Sequence, residues 1–259
     1  MSEIELHKLL DTFEPISLEE MDAVKLMNRV DTKYIASRSQ LADILRMAQK
    51  DYFAQQIDGK RITQYDTLYY DTPELSMYIR HHDRHLVRQK VRIRTYVDSD
   101  GLTFLEIKNK NNKGKTKKKR IAVSDQGVLL HPDEEVSAFM TKRCWYEWRE
   151  LLPELRTAFS RITLVNKGKT ERLTIDLNLV WSNVQTGIDK TYEDLVIIEL
   201  KRDGNTYSPM LRIMNELRIK PMKISKYCVG TALTNESVKR NRFKAKIRKI
   251  ERITNHTTI

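Results

Sequence analysis

Cysteine is scarce in this sequence, and its scarcity narrows the class of protein. Among 259 residues the only cysteines are Cys144 and Cys228, and neither has the spacing of a CxxC or other metal-binding motif. Such sparse cysteine argues against a secreted disulfide scaffold and against a cysteine-based zinc module. We therefore predict no structural disulfide and a cytoplasmic location.

Long apolar runs, glycine and proline are scarce as well. No uninterrupted apolar stretch approaches the length of a membrane span, and the first residues lack the apolar core of a secretion signal. Eight glycines and six prolines leave little room for disordered or fibrous segments. These features predict an ordered, soluble protein without a transmembrane segment.

Positive charge, in contrast, is in excess. The chain contains 47 lysines and arginines against 35 aspartates and glutamates, a formal net charge of +12 at pH 7. This excess indicates a polyanionic partner, namely nucleic acid, an anionic membrane or phosphorylated small molecules. Because a basic C-terminal stretch contributes part of the charge, the net charge does not locate the binding site.

The most informative stretch is residues 88–94, RQKVRIR. Side-chain alternation along a β-strand would place four cations on one face: Arg88, Lys90, Arg92 and Arg94. Neighbours on that face lie roughly 7 Å apart, and each like-charge pair then costs about 2 kcal/mol at an effective dielectric of about 20. Since such repulsion does not favour folding, the row predicts a surface that receives a multiply charged anion.

Alternation and turn residues predict eight strands. They cover residues 28–36, 61–70, 87–98, 102–110, 115–123, 158–166, 172–180 and 195–202. Helices are predicted over residues 3–27 (as short pieces), 37–50, 132–152, 209–217 and 225–252. The simplest architecture is one α+β domain over residues 1–238, an antiparallel β-barrel or strongly curved sheet with flanking helices. Residues 239–259 then form a basic C-terminal helix or tail.

Local features refine this assignment. A capping box is predicted at Ser17–Glu20, and residues 97–102 predict a hairpin turn between two strands. Trp145 and Trp148 are expected to be buried anchors of the 132–152 helix.

The sequence also allows predictions for a cluster of histidines and for the basic C-terminal stretch. Three histidines precede the basic strand, and their spacing favours the surface over a zinc site: His81, His82 and His85. In the C-terminal stretch three apolar residues are spaced among cations as in an amphipathic basic helix: Phe243, Ile247 and Ile250. Such a helix packs on the barrel or, alternatively, binds an anionic membrane or an acidic partner peripherally.

Other strands repeat the polar face, and three of them carry an isolated acid in or beside the basic row: Asp31, Glu106 and Glu199. On the 115–123 strand two assignments fit, one with Lys117 and Lys119 and the other with Lys118 and Arg120. Solvent exposure would explain any one of these strands alone. Together they favour a closed barrel whose lumen binds polyphosphate through the cations and a divalent metal through the acids.

Five short strings resemble the VTC domain, the polyphosphate polymerase module of the vacuolar transporter chaperone complex. They occur in the family's order between about residues 28 and 235: Arg29–Tyr34, Arg92–Arg94, Leu105–Lys108, Ile198–Lys201 and Ser225–Tyr227. That family belongs to the triphosphate tunnel metalloenzymes, alongside the CYTH-type phosphatases. The resemblance implies an eight-stranded antiparallel tunnel, a divalent cofactor, Mn²⁺ or Mg²⁺, and transfer of the γ-phosphate of ATP to a growing polyphosphate chain.

The resemblance also implies roles for individual residues. The tunnel residues that would grip the phosphates are Lys33, Arg92, Arg94, Lys108 and Arg161. Further phosphate or nucleotide contacts are expected from Lys119 or Arg120, Arg172, Lys201, Lys223, Ser225 and Lys226. Glu199 matches the metal-binding glutamate, and Glu106 is either a second metal ligand or a charge partner of Lys108.

The chain departs from the family at two points. Phe159 stands where the family has a tyrosine, so no phosphate contact from a hydroxyl is implied there. We also expect neither the SPX domain nor the transmembrane segment that accompany the eukaryotic domain, and hence no coupling of synthesis to membrane translocation.

Two other functions compete with the polymerase. A tunnel triphosphatase of the CYTH type would carry ExExK on its first strand, where this chain has Arg29–Lys33, RVDTK, with arginine in place of the first acid. Fewer acids favour the polymerase over a two-metal hydrolase. The third possibility is a non-catalytic module that binds polyphosphate or nucleotide. Nucleic acid is not expected as a partner, because the arginine row lacks interleaved exposed aromatics for base stacking.

Overall fold

A computed structural model describes residues 1–22, 29–204 and 206–254 of the chain. The strands are β1 (Glu14–Ile16), β2 (Arg29–Ser37), β3 (Tyr52–Gln55), β4 (Thr63–Asp71), β5 (Arg88–Tyr96), β6 (Leu102–Lys110), β7 (Thr116–Val123), β8 (Leu152–Asn166), β9 (Glu171–Asn183), β10 (Asp189–Tyr192) and β11 (Leu195–Asp203). The helices are α1 (Glu3–Asp11), α2 (Leu18–Asp22), α3 (Arg38–Ala48), α4 (Ser76–His82), α5 (Glu134–Arg143), α6 (Pro209–Glu216), α7 (Lys226–Thr234) and α8 (Lys244–Thr254), with short 3₁₀ turns at Trp148–Glu150 and Asn241–Phe243.

Eight strands form one continuous antiparallel path in the order β2-β11-β9-β8-β4-β5-β6-β7. These are the eight strands predicted from the sequence, although residue 28, the expected start of the first, lies outside the described residues. The short strands β1, β3 and β10 were not predicted and attach beside this path. The predicted α+β architecture is therefore confirmed.

The expected closure of the barrel is not seen. Within the described ranges no ladder joins β7 to β2, so the hydrogen-bonded sheet is open along one seam. It is nevertheless strongly curved, because the segment before α7 reaches strands far apart in the path. The amide of Met222 donates to the carbonyl of Lys33 on β2 at 2.7 Å, and Lys90 Nζ on β5 donates to Ser225 Oγ at 2.7 Å. In a flat sheet those two strands would be about 24 Å apart, more than twice the reach of residues 222–225.

Apolar helices cover the convex face of the sheet. Helices α1, α3 and α6 pack on β2, β8, β9 and β11, whereas α5 packs on β5 and β6. The strand residues in these layers alternate with the polar ones, as in Val91 and Ile93 on β5 and Leu105 and Ile107 on β6, all essentially inaccessible to solvent. Burial of these positions fixes the register, so the polar residues between them are turned to the concave face.

Capping residues define where the helices begin, and most predicted boundaries agree. Ser17 and Glu20 form the predicted capping box, with reciprocal hydrogen bonds of 3.0 and 3.1 Å. The predicted continuation of this helical region through residues 23–27 lies outside the described residues. The hairpin turn between β5 and β6 is confirmed, with Asp100 and Gly101 at positive φ as tight hairpin turns require.

Two long helices predicted from the sequence are shorter in the structure. The helix expected over residues 132–152 ends at Arg143, so Trp148 is buried but Trp145 is 49% exposed and is not the expected anchor. The helix expected over residues 225–252 is divided into α7 and α8. Between them the side chain of Asn235 accepts hydrogen bonds from the amide and hydroxyl of Ser237, which turns the chain away from a helical path.

One histidine of the cluster and part of the C-terminal stretch are more buried than expected. His82 is 3% exposed and its ring nitrogens contact Asp83 and Asn241, so the expected surface position is wrong for this residue. Phe243 and Ile250 are buried in an apolar cluster with α7, and the described part of the tail packs against the sheet. The described helices include none that combines the length and apolar character of a membrane span.

Helix α7 lies against the concave side of β8 and β9, and one glycine permits this close approach. A β-carbon added to Gly230 would lie 2.5 Å from Cδ1 of Trp181 and 2.6 Å from Cδ2 of Leu155. Both neighbours are fully buried, so neither can move aside freely. The position therefore accepts glycine alone without displacement of the helix.

We predict that Gly230→Ala lowers the free energy of unfolding by about 1–3 kcal/mol, because overpacking outweighs the gain in helix propensity of at most about 1 kcal/mol. Denaturant unfolding followed by circular dichroism measures the change. Gly168→Ala is the matched control, since its β-carbon would lie 3.5 Å from the nearest side-chain atom. Equal stability of the Gly230 variant and the wild type would contradict the packing argument.

Candidate active site

Sheet register brings the predicted cations together on the concave face. Directly opposed residues on two antiparallel strands point to the same face of the sheet. The face of one residue therefore gives the face of its partner on the neighbouring strand. The opposed pairs are Lys33 with Glu199, Arg161 with Asp176, Arg92 with Glu106, Lys90 with Lys108, and Lys108 with Lys118. We call this concave, positively charged surface the basic groove.

Glu106 on β6 is the buried centre of one side of the groove. Its carboxylate accepts from Arg92 Nε at 2.7 Å and lies 3.1 Å from Lys118 Nζ, and the side chain has no exposed surface. Burial alone would raise the pKa of Glu106, but Arg92 and the surrounding lysines outweigh it and hold that pKa far below its usual range. Both oxygens are thus engaged by cations, and the arrangement is that of a charge partner.

Three cations beside this cluster form no ion pair with a carboxylate of the described residues: Lys90, Arg94 and Lys108. Arg94 donates to Thr67 Oγ1 at 3.0 Å, and burial together with Arg92 and Arg161 lowers its pKa to about 10. Burial next to Arg92 and Arg94 also lowers the pKa of Lys108 well below its usual value. Uncompensated, desolvated cations of this kind are stabilised by an anion that enters between them.

A second ion-pair cluster joins β8, β9 and α7. Arg161 contacts Asp176 through Nε at 2.6 Å and Nη2 at 2.9 Å, and Lys226 pairs with the same carboxylate. Burial opposes the ionised form of Asp176, yet Arg161 and Lys226 lower its pKa far below the usual range. Lys226 Nζ also lies 4.2 Å from the ring centre of Phe159, the residue that replaces the family's tyrosine.

Glu199 on β11 has the loosest contacts of the acids in the groove. It lies 3.6 Å from Lys33 Nζ and 3.5 Å from Lys201 Nζ, and a quarter of its side chain remains exposed. Despite burial, these two lysines hold the pKa of Glu199 far below its usual range. Of the three carboxylates Glu106, Asp176 and Glu199, only Glu199 is both accessible and weakly partnered, so it is the best placed to exchange a lysine for a metal ion.

The metal prediction can be tested against this donor set. Within residues 1–22, 29–204 and 206–254, no three histidine, cysteine or acidic side chains are grouped as a metal cage. Mg²⁺ and related ions are commonly held by one or two carboxylates together with substrate phosphates. The donor set of the groove fits that second mode, in which Glu199 would be the protein ligand.

The remaining predicted residues differ in their placement. On β7, Arg120 opposes Glu106 and faces the groove, whereas Lys119 opposes the buried Ile107 and lies on the other face of the strand. Ser225 caps α7 and receives the hydrogen bond from Lys90. Arg172 opposes Lys201 across the β9–β11 ladder, and Lys223 is exposed just before α7. The groove therefore gathers every predicted cation except Lys119 in one region or at its rim.

Sequence reasoning missed several residues of the groove. Lys90 was not among the residues expected to contact phosphate, but it bonds to Ser225, the N-cap of α7. Lys118 was left as an alternative although it contacts Glu106. Strict alternation from Glu106 through the β6–β7 register identifies Lys118. Tyr69 had no sequence signal; its hydroxyl lies 3.3 Å from Arg92 Nη1 and its ring stacks on Tyr227.

An eight-stranded antiparallel sheet curved around a basic groove with a few isolated carboxylates defines the fold of the triphosphate tunnel proteins. The model of the VTC domain family matches residues 28–235, most of the chain. The chain therefore belongs to the VTC domain family.

One solved structure supports this fold assignment, and two others show a weaker likeness. A candidate adenylate cyclase from Bacillus halodurans superimposes with a TM-score of 0.51 at 14% identity, covering 76% of this chain and 94% of that one. A second candidate adenylate cyclase, from Vibrio parahaemolyticus, gives 0.44 at 11% identity over 79% and 99%. A candidate adenylyl cyclase from Hippeastrum, described as having a dominant triphosphatase activity, gives 0.46 at 16% identity over 80% and 96%. No curated protein matches the sequence significantly.

Two groups of the groove titrate near pH 8. Burial and Arg161 lower the pKa of Lys226 to about 8, although Asp176 acts in the opposite direction. Burial would raise the pKa of Tyr69, but Arg92, Arg94 and Lys90 outweigh it and lower that pKa to about 8. As pH rises through 8, the groove therefore loses a positive charge and gains a negative one.

We predict that the affinity for inorganic tripolyphosphate falls as pH rises through 8, and that the fall is smaller in Tyr69→Phe and in Lys226→Arg. Isothermal titration calorimetry between pH 6.5 and about 9.5 measures this in all three proteins. Since every protein meets the same ligand, the titration of tripolyphosphate itself cancels in the comparison. Identical pH profiles in the three proteins would show that neither group governs binding.

Proposed function

We propose that this protein is an ATP-dependent polyphosphate polymerase, which transfers the γ-phosphate of ATP to a growing inorganic polyphosphate chain in the basic groove. The observation that carries the proposal is a set of cations without a carboxylate partner among the described residues, the buried Arg94 and the half-buried Lys90 and Lys108, beside the ion pair of Arg92 with Glu106. Membership of the VTC domain family supports it.

The cations would act by charge stabilisation. In phosphoryl transfer, charge moves on the oxygens of the transferred group, and fixed cations lower the barrier without covalent participation. Arg92, Arg94 and Lys108 on one side and Arg161 and Lys226 on the other would hold successive phosphates of ATP and of the acceptor. The bond from the γ-phosphorus to ADP breaks while a terminal oxygen of the chain forms the new bond.

The state of the carboxylates favours transfer over hydrolysis. Water must lose a proton to attack, whereas the terminal oxygen of a polyphosphate chain is already ionised. Glu106, Asp176 and Glu199 are all paired with cations, and the pKa of each is depressed, so they are poor proton acceptors. Carboxylates that are poor proton acceptors suit an acceptor that requires no general base.

A divalent ion would complete the charge stabilisation. Glu199 would hold it from the protein side, and when bound it would neutralise phosphate oxygens as a Lewis acid. Glu106 is left out of this assignment, because Arg92 and Lys118 engage both of its oxygens. Lys33 and Lys201 would then be released from Glu199 to contact phosphate.

Incubation with ATP and Mn²⁺ tests the function. We expect ³¹P NMR to show internal phosphates of a chain and ADP, in material resistant to RNase and DNase. Arg94→Ala is expected to reduce the rate by about 100-fold, the usual cost of removing one stabilising donor. Arg212→Ala, an exposed arginine on the convex side, is the matched control and should not change it. ADP with free phosphate and no chain would establish a triphosphatase instead.

The role of Glu199 has a separate prediction. We expect Glu199→Gln to weaken binding of Mn²⁺ to the ATP-loaded protein by at least about tenfold, while metal-free tripolyphosphate binds as well as before or more tightly. Electron paramagnetic resonance of free Mn²⁺ reads the first effect and calorimetry the second. Unchanged Mn²⁺ binding would remove Glu199 from the metal site. The matched control is Glu216→Gln, a surface glutamate paired with Arg212.

A further inference from the structure

Four aromatic side chains form a continuous row on the concave face, across four neighbouring strands: Phe104 on β6, Tyr96 on β5, Tyr65 on β4 and Phe159 on β8. Ring centres are 6.0 Å apart for Phe104 and Tyr96, 5.1 Å for Tyr96 and Tyr65, and 5.3 Å for Tyr65 and Phe159. We call this set the aromatic row. It was not visible along any single strand, because each ring comes from a different one.

The aromatic row borders the cations proposed to hold phosphate. Arg120 lies 4.3 Å from the ring centre of Phe104, and Arg161 and Arg94 lie 4.7 and 5.4 Å from that of Tyr65. At the other end of β5, Lys90 is bonded to Ser225 at the start of α7. The row thus crosses the groove beside its cationic centre, from Phe104 to Phe159, and Lys226 at the start of α7 lies over Phe159.

Tyr96 differs from the other three rings. Phe104, Tyr65 and Phe159 are each covered by a guanidinium or ammonium group. Within the described ranges Tyr96 has two aromatic neighbours and no cation over its ring, its hydroxyl makes no hydrogen bond, and the side chain is half-buried. An aromatic surface without a cation on it, in a row of cation-covered rings, is available to another flat ring.

We propose that the aromatic row, with Tyr96 at its centre, is a subsite for the base of a nucleoside triphosphate whose phosphates lie among the cations of the groove. The inference rests on the proposed use of ATP. A base is attached next to the phosphates, and stacking on aromatic rings is how proteins bind bases without reading their hydrogen-bonding edges. Because every base has a π face, the subsite should accept different nucleoside triphosphates, with purines favoured by their larger rings.

The test compares ATP with inorganic tripolyphosphate, which has no base. Calorimetry in the absence of metal measures both ligands with wild-type protein and with Tyr96→Ala. We expect ATP to bind about tenfold more weakly to the variant and tripolyphosphate to bind unchanged. Tyr96→Phe should resemble the wild type with both ligands, since the hydroxyl has no partner among the described residues. Tyr207→Ala, a highly exposed tyrosine outside the groove, is the matched control.

Two results would overturn the base subsite alone. Equal weakening of both ligands by Tyr96→Ala would mean that the ring only supports the neighbouring arginines. Unchanged binding of both would mean that the base lies elsewhere. Wild-type protein that binds neither ligand would overturn the proposed function together with the subsite.

Discussion

Ion pairs between the strands make the basic groove possible. The cationic side chains of the concave face would repel one another. Three carboxylates offset this repulsion, and each of them lies between two cations. Glu106 connects β5 with β7, Asp176 connects β8 with α7, and Glu199 connects β2 with β11. Removal of one partner of a buried pair, such as Arg92 with Glu106 or Arg161 with Asp176, typically costs about 3–5 kcal/mol. The same contacts therefore hold the strands in order and leave an excess of positive charge for a ligand.

The concave face is also shaped by the segment that leads into α7. Residues 222–227 contact β2, β4, β5 and β9, so the curvature of the sheet and the position of this segment depend on each other. The hydroxyl of Tyr227 donates to the buried carboxylate of Asp71, and this hydrogen bond fixes the position of α7. The carboxylate of Asp71 meanwhile accepts the amides of Met77 and Tyr78 at the start of α4. One buried acid thus connects two helices to β4.

Much of this arrangement could be predicted from alternation. A two-residue period and turn residues predict all eight strands of the main path, and on β5 and β11 this period reflects buried convex positions that alternate with mostly charged concave positions. The short strands β1, β3 and β10 could not be found this way, since three or four residues do not establish a period. The predicted burial of Trp145 was wrong for a related reason. The end of α5 depends on a hydrogen bond from the backbone amide of Trp145 to the side chain of Gln89 on β5, and no local sequence pattern shows this contact.

The site was less predictable than the strands. Which residues share a face follows from the sequence, but which faces meet requires the register between strands. Lys119 and Lys118 differ by one position and lie on opposite faces, and the aromatic row contains one residue from each of four strands. The low pKa of Tyr69 depends on three cations from β5, so composition gave no indication of it.

The seam between β7 and β2 has a consequence for a polymeric product. β7 lies at the end of the sheet path, and its lysines at positions 117 and 119 are exposed, an edge composition that discourages pairing with another strand. A polymer inside a ring can leave only by its ends. One lying in a trough with an open side can be lifted out laterally, one phosphate after another, so that no step breaks more than a few ion pairs at once. For the polymer proposed here, the work of release would then not grow with the length of the chain.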